Sequence, residues 1–253
     1  MKYFLTAIWA VICIGVLAFS HIHWNQQVAV MAVETPVVTQ EPSVTDYRTY
    51  LEMAENWPET AKAQLKLALE AEQPFKILFV GSSSMDWEKS VSQSISESFG
   101  SDKVMTSFHT YDQSSKAFIA ENKQLELAAE KAQLVVMEPF LLNDNGKVKI
   151  DATLDNVTQM IADIKTANPD TTFILQPSYP IYLPKYYSEQ VKALEEYAAA
   201  NNVTYLDHWK AWPATDNPEL KDYLNADQSG PNEKGYQVWA QVLIDYFVNK
   251  KAN

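Results

Sequence analysis

Apolar and polar positions change their pattern three times along this chain, and each change marks a boundary. Tyr3 to Phe19 is an almost unbroken apolar run behind the single charge of Lys2, and no acidic or basic residue returns until Glu34. A run of this length is slightly short for a spanning helix and slightly long for the apolar region of a signal peptide. Positive charge lies only on its N-terminal side, which predicts that the body faces away from the cytoplasm. Ala18-Phe19-Ser20 offers a cleavage site, but bulky His21, Ile22, His23 and Trp24 follow, with an aromatic placed as interfacial anchors place them. We therefore expect residues 1–24 to be a signal anchor, with a cleaved signal peptide as the alternative. Residues 25–43 carry Pro36 and Pro42 without helical period and read as an extracytoplasmic linker.

From residue 44 to 253 the pattern is that of one folded domain. Thr45–Asn56 and Glu59–Glu72 are periodic as helices are, interrupted at Trp57-Pro58 because proline restricts the residue before it. Phe75–Val80 is then continuously apolar, as a strand covered on both faces must be. Val104–His109, Leu134–Glu138, Thr172–Gln176 and Thr204–Leu206 are shorter strand candidates. Between them, helices are predicted over Glu88–Phe99, Ser115–Lys131, Leu154–Asn168 and Ser188–Asn201. A last helix, Asn232–Asn249, puts Tyr236, Trp239, Ala240, Leu243 and Phe247 on one stripe. Strand-helix alternation implies right-handed crossovers and a parallel sheet with helices on both faces. Such sheets bind ligands beyond the C-terminal strand ends, so functional residues should follow strands directly.

Composition narrows the function. The chain has 253 residues and is 47% hydrophobic, enough for one substantial core. A net charge of −12 argues against nucleic acid as a partner, which would need a basic face. A single cysteine excludes a disulfide scaffold and a cysteine metal site. Cys13 has Val11 and Ile12 before it rather than the small residues of a lipoprotein signal. No phosphate loop, dinucleotide fingerprint or metal-ligand spacing is present, so no cofactor is expected.

Candidate chemistry sits where the pattern puts it. Gly81-Ser82-Ser83-Ser84 follows the first strand, a small-residue turn that would expose a serine nucleophile beside backbone N–H groups. A polar turn capping the next helix is the plain alternative. Asn143-Asp144 follows the third strand, where an Asn amide could stabilise developing negative charge or simply form an Asn-Asp-Asn-Gly turn with Asn145 and Gly146. Pro177 to Tyr187 follows the fourth strand with four tyrosines among three prolines. Tyr179 and Tyr182 there would give a stiff surface for sugars or acyl chains, or pack on the sheet edge. Trp209 and Trp212 could extend it.

Asp227-Gln228-Ser229-Gly230-Pro231-Asn232-Glu233-Lys234-Gly235-Tyr236 resembles the C-terminal signature of the SGNH/GDSL hydrolases, an Asp and a His three apart, then Pro-Asn and a Gly-aromatic pair. The register fits at Asp227, Pro231-Asn232 and Gly235, but Gly230 stands at the place of the His. The resemblance runs from Phe75 to the last helix. It implies a flavodoxin-like three-layer sandwich with a parallel five-stranded sheet, and ester hydrolysis or acyl transfer on lipids or O-acylated glycans. By position it makes Ser83 the nucleophile, Asn143 an oxyanion donor, and Gly81 and Ser82 the turn that meets substrate. Ser82 replaces the family's Asp, Leu141 its Gly before Asn143-Asp144, and the second-strand Gly is absent.

The missing His leaves three readings. His208 after the fifth strand, or His109 after the second, could serve as a displaced base. Asp227 could act directly on Ser83, though a carboxylate is a poor base for a hydroxyl. Or the fold could be kept for binding an envelope polysaccharide or assembly partner. A member tethered outside the membrane resembles those acting on cell-envelope or capsular glycans.

Overall fold

A computed structural model describes residues 44–82 and 85–250. The expected anchor and linker of residues 1–43, and the expected nucleophile Ser83, lie outside the described residues. In chain order the elements are α1 (Val44–Met53), α2 (Glu59–Glu70), β1 (Phe75–Gly81), α3 (Glu88–Phe99), β2 (Val104–Thr110), α4 (Ser115–Ala120), α5 (Lys123–Ala129), β3 (Leu134–Met137), α6 (Leu141–Asp144), α7 (Ile150–Ala167), β4 (Thr172–Leu175), α8 (Tyr187–Ala200), β5 (Thr204–Tyr205) and α9 (Glu233–Phe247). Two short 3₁₀ helices, His208–Ala211 and Pro218–Tyr223, fill the path from β5 to α9.

The strands form one parallel sheet in the order β2-β1-β3-β4-β5. Period-two alternation divides their side chains between two cores. Ile77, Phe79, Leu134, Val136 and Ile174 face a core shared with α1, α2, α3 and α9. Leu78, Val80, Val135, Met137, Phe173 and Leu175 face the other, under α4, α5, α7 and α8. The three central strands, β1, β3 and β4, are almost wholly apolar and buried because helices cover both faces, as the continuous run at Phe75 predicts. β2 and β5 at the sheet edges are mixed and only partly buried.

Order reverses between β1 and β3, the switch point at which sheets of this topology bind ligands. The strand ends there are level. Glu138 N–H donates to Val80 O at 2.8 Å, Gln176 N–H to Met137 O at 3.0 Å, and Leu206 N–H to Leu175 O at 2.8 Å. Gly81, Glu138, Gln176 and Leu206 thus form one row along the C-terminal edge.

One expected element differs. The single helix predicted over Ser115–Lys131 is two, α4 and α5, because Asn122 between them takes a left-handed conformation at φ 56°. Asparagine adopts that region at small cost, which its helical neighbours conceal in the pattern. The remaining elements depart from expectation only at their ends.

α1 and α2 close the first core through Trp57. Its ring is 2% exposed, lies 5.4 Å from those of Phe75 and Phe99, and its Nε1 donates to Phe247 O at 3.0 Å. Trp57→Ala is expected to lower unfolding free energy by about 3–5 kcal/mol, measured by denaturant titration. A loss below about 1 kcal/mol would mean that α1 and α2 are dispensable to the sandwich.

Candidate functional site

β1 runs into the turn that carries the serines. Ser82 is buried, and its backbone N–H donates to Glu138 Oε2 at 2.7 Å. Gly81 is required here by space. A Cβ would meet Glu138 Oε2 at 3.0 Å, Glu138 Cβ at 3.1 Å and Met85 Sδ at 2.8 Å. The glycine thus admits the carboxyl group from β3 to the turn. Met85 and Trp87 are buried just beyond, fixing the far side of the turn into the first core.

The pair after β3 divides its labour. Asp144 is buried and accepts from Ser115 N–H at 2.8 Å, Ser115 Oγ at 2.5 Å and Thr153 Oγ1 at 2.6 Å, tying α6 to α4 and α7. Asn143, beside it on the single turn of α6, is half-buried, and its Nδ2 reaches Asp112 Oδ1 only at a long 3.4 Å. An amide so loosely held can turn to an incoming oxygen.

His208 is not placed to be a base, which corrects that expectation. It is fully buried, its Nε2 lies 2.9 Å from Pro177 O and its Nδ1 accepts from Trp212 Nε1 at 3.1 Å. The ring stacks on Trp239 with centroids 4.3 Å apart. Both nitrogens are occupied in the neutral tautomer, and burial pushes the pKa down to about 3. His109 is also engaged. Its Nε2 bonds Glu130, which in turn accepts from Ser107 Oγ and pairs with Lys76.

The loop before α9 is a closed unit. Asn225 N–H donates to Gly230 O at 2.8 Å, and Asp227 Oδ1 accepts from Ser229 N–H at 3.0 Å and Ser229 Oγ at 2.7 Å. The Ser229 donors lower the pKa of the exposed Asp227, so it orients its own turn. Asn232 caps α9, accepting from Gly235 N–H while its amide donates to Asp222 O and Leu224 O. Gly235 is again a matter of space, since a Cβ would lie 2.3 Å from Tyr223 O.

Gly230 is different. Its φ is not in the left-handed region, and a Cβ would meet only Asn225 Nδ2 at 3.4 Å and Tyr236 Oη at 4.0 Å. Burial, with the negative charge of the exposed Asp86, raises the Tyr236 pKa to about 12. The vacant position of Gly230 therefore opens toward a phenol that stands near an exposed carboxylate. This link was hidden in the sequence because Tyr236 also fits the apolar stripe of the last helix.

The tyrosines after β4 are less open than the sequence suggests. Tyr179 is 8% exposed and donates to Ser229 O at 2.7 Å, bracing the β4 loop against the Asp227 loop. Tyr182 is half-buried with Lys221 Nζ 4.2 Å from its ring centroid. Leu183 and Tyr186, 60% and 69% exposed, face solvent instead. Trp209 and Trp212 donate inward, to Ser178 O and His208 Nδ1. Among the described residues no group of three His, Cys, Asp or Glu converges as a metal site would need.

Solved structures match this arrangement. A GDSL-like lipase from Bacteroides thetaiotaomicron aligns at 18% identity and TM-score 0.51, over 75% of this chain and 98% of its own. A carbohydrate esterase family 3 structure from Talaromyces cellulolyticus aligns at 17% identity and TM-score 0.55, over 67% of this chain and 94% of its own. The acetylxylan esterase Axe2 from Geobacillus stearothermophilus aligns at 14% identity and TM-score 0.54, over 69% and 94%. The fold is that of the SGNH/GDSL hydrolases. No family model and no curated protein matches the chain. At these identities the likeness concerns architecture alone.

Two buried groups give opposite pH dependences. Burial pushes the Glu138 carboxyl up to about 7, against the hydrogen bonding from Ser82 that pulls it down. The folded state then holds a proton that the unfolded chain releases, so its contribution to stability declines as pH rises from about 4.5 to 7. For His208 the unfolded chain binds the extra proton, so stability is lost as pH falls from about 6.5 to 3. Replacing Glu138 by Gln should remove only the first effect. The difference in unfolding free energy between Glu138→Gln and wild type, measured by denaturant titration at each pH, is expected to grow more positive from pH 5 to about 7.5, a change on the order of a few kcal/mol. A difference flat across that range would show that Glu138 titrates normally.

Proposed function

We propose that this chain is a serine ester hydrolase or O-acyltransferase of the SGNH/GDSL family, anchored by residues 1–24 and acting outside the cytoplasm on acylated cell-envelope glycans. The observation that carries the reading is the level row of strand ends at the switch point. It ends β1 at Gly81-Ser82 beside the end of β3, after which Asn143 follows. In this scheme Ser83 Oγ attacks the ester carbonyl, its proton leaves to a base, and the Asn143 amide with turn N–H groups receives the oxyanion. Collapse expels the alcohol, and water or an acceptor hydroxyl then takes the acyl group.

With both candidate imidazoles committed, the proton must go to a carboxylate. Asp86, near Tyr236, and Asp227, on the Gly230 loop, are the exposed candidates. A carboxylate accepts a hydroxyl proton poorly, so intrinsic turnover should be slow. The acetylxylan esterase and carbohydrate esterase among the similar structures support a glycan ester as substrate.

The engagement of both histidines also supports a second reading, a catalytically silent module that binds an envelope glycan. One experiment separates them. A fluorophosphonate should label Ser83 in wild type and not in Ser83→Ala. Gly230→His should raise labelling and short-chain ester hydrolysis by about 10²-fold or more, because the position has room for a side chain and lacks only the base. A folded Gly230→His protein as inert as wild type, with glycan binding indifferent to Ser83→Ala, would establish the binding reading instead.

A further inference from the structure

Glu138 is an anomaly in the edge that carries the site. The strand before it, Leu134–Met137, is wholly buried and apolar, and Glu138 is itself 0% exposed. A carboxyl group brought this deep carries a cost of several kcal/mol unless its oxygens find donors. One oxygen does, through Ser82 N–H at 2.7 Å, while Oε1 has no hydrogen-bond partner among the described residues. Neighbouring polar groups do not relieve it. Asp144, Tyr179 and Tyr187 stand near enough to interact with its charge, and no cation does so among its principal influences. A residue serving only to fill the space would be apolar, as its four predecessors are.

Its surroundings show what the carboxyl group holds. The Ser82 N–H donates to Oε2 with the Ser82 side chain beside it, while the Phe140 N–H goes to the Glu138 backbone carbonyl at 3.0 Å. Gly81 is side-chain-free at the point where Oε2 and Cβ of Glu138 press against β1. The contact thus joins the two strands flanking the switch point through the peptide immediately before Ser83. Where the SGNH signature has an acidic residue in the turn itself, this chain has Ser82, and its carboxyl group arrives from β3.

We infer that Glu138 is a positioning residue for the turn after β1, clamping the Ser82 peptide from the end of β3. The clamp does not touch the reacting atoms. It needs acceptor oxygens more than it needs charge, which distinguishes it from a base. The inference rests on Ser83 being the nucleophile of the proposed function, but the contact itself can be measured without any activity.

The test uses the full-length protein in detergent, as wild type, Glu138→Gln and Glu138→Leu, each with its thermal melt. Hydrogen-deuterium exchange of the segment spanning Ser82 reads the clamp, and the rate of fluorophosphonate labelling at Ser83 reads its consequence. Gln keeps one acceptor oxygen for Ser82 N–H, so its exchange should stay near wild type and its labelling within about tenfold. Leu keeps the volume and loses every acceptor, so exchange at Ser82 should rise at least about tenfold and labelling fall by about 10²-fold, in a protein that still melts cooperatively. Unchanged exchange in Glu138→Leu would overturn the inference. So would labelling lost equally in Gln and Leu, since that outcome assigns Glu138 to proton transfer. If wild type is never labelled, the esterase reading falls and the exchange data alone decide whether the clamp exists.

Discussion

The in-register C-terminal edge of the parallel sheet is the constraint on which the site depends. The three apolar strands β1, β3 and β4 end at the same level, and each passes its last ladder bond to a neighbour that has already become a loop. Parallel pairing makes this inevitable once helices return each strand to the same starting side. Ser82, Asn143, the tyrosine loop and the segment after β5 therefore arrive at one end of the sheet although they span more than half the chain. No single pair of residues brings them together. The register does.

Beneath that edge lies a polar layer that the hydrophobic pattern does not announce. Gln176 accepts from Trp239 Nε1 at 3.2 Å, Trp239 stacks on His208, and His208 links Pro177 to Trp212. These contacts knit the β4 loop, the 3₁₀ helix after β5 and α9 into one body. His208 is a bolt in that body. A buried imidazole with both nitrogens bonded gives orientation to three segments, and it cannot leave to collect a proton without breaking them.

Most of the fold was legible in the sequence because covered parallel strands must be apolar on both faces, a pattern that few other elements share. The helix break at Asn122 was not, since left-handed asparagine leaves no trace in hydrophobic spacing. The site was legible in position and less so in role. Asn143, Asp144 and Asn232 could be placed from the order of motifs alone. Whether a histidine after a strand faces a cleft or a tryptophan, however, is decided by χ angles and packing that spacing does not encode. Tyr179 illustrates the same limit: a tyrosine-rich loop predicts an aromatic surface, yet its hydroxyl is spent on Ser229 O.

The glycines carry the argument furthest. Gly81 and Gly235 are imposed by neighbours, the first by the Glu138 carboxyl and the second by the Tyr223 carbonyl. Neither could be exchanged without moving backbone or a buried side chain. Gly230 is imposed by nothing comparable: its φ is ordinary and its missing Cβ would touch only a side-chain amide and, more loosely, a phenol. Structure alone therefore does not account for glycine at this position. Among the departures from the SGNH signature, Gly230 is one whose identity the fold leaves open. The Tyr236 phenol borders that space, and burial beside the charge of Asp86 holds its pKa near 12. Such a group donates a hydrogen bond and does not accept a serine proton, so it cannot stand in for the imidazole that the signature has at this place.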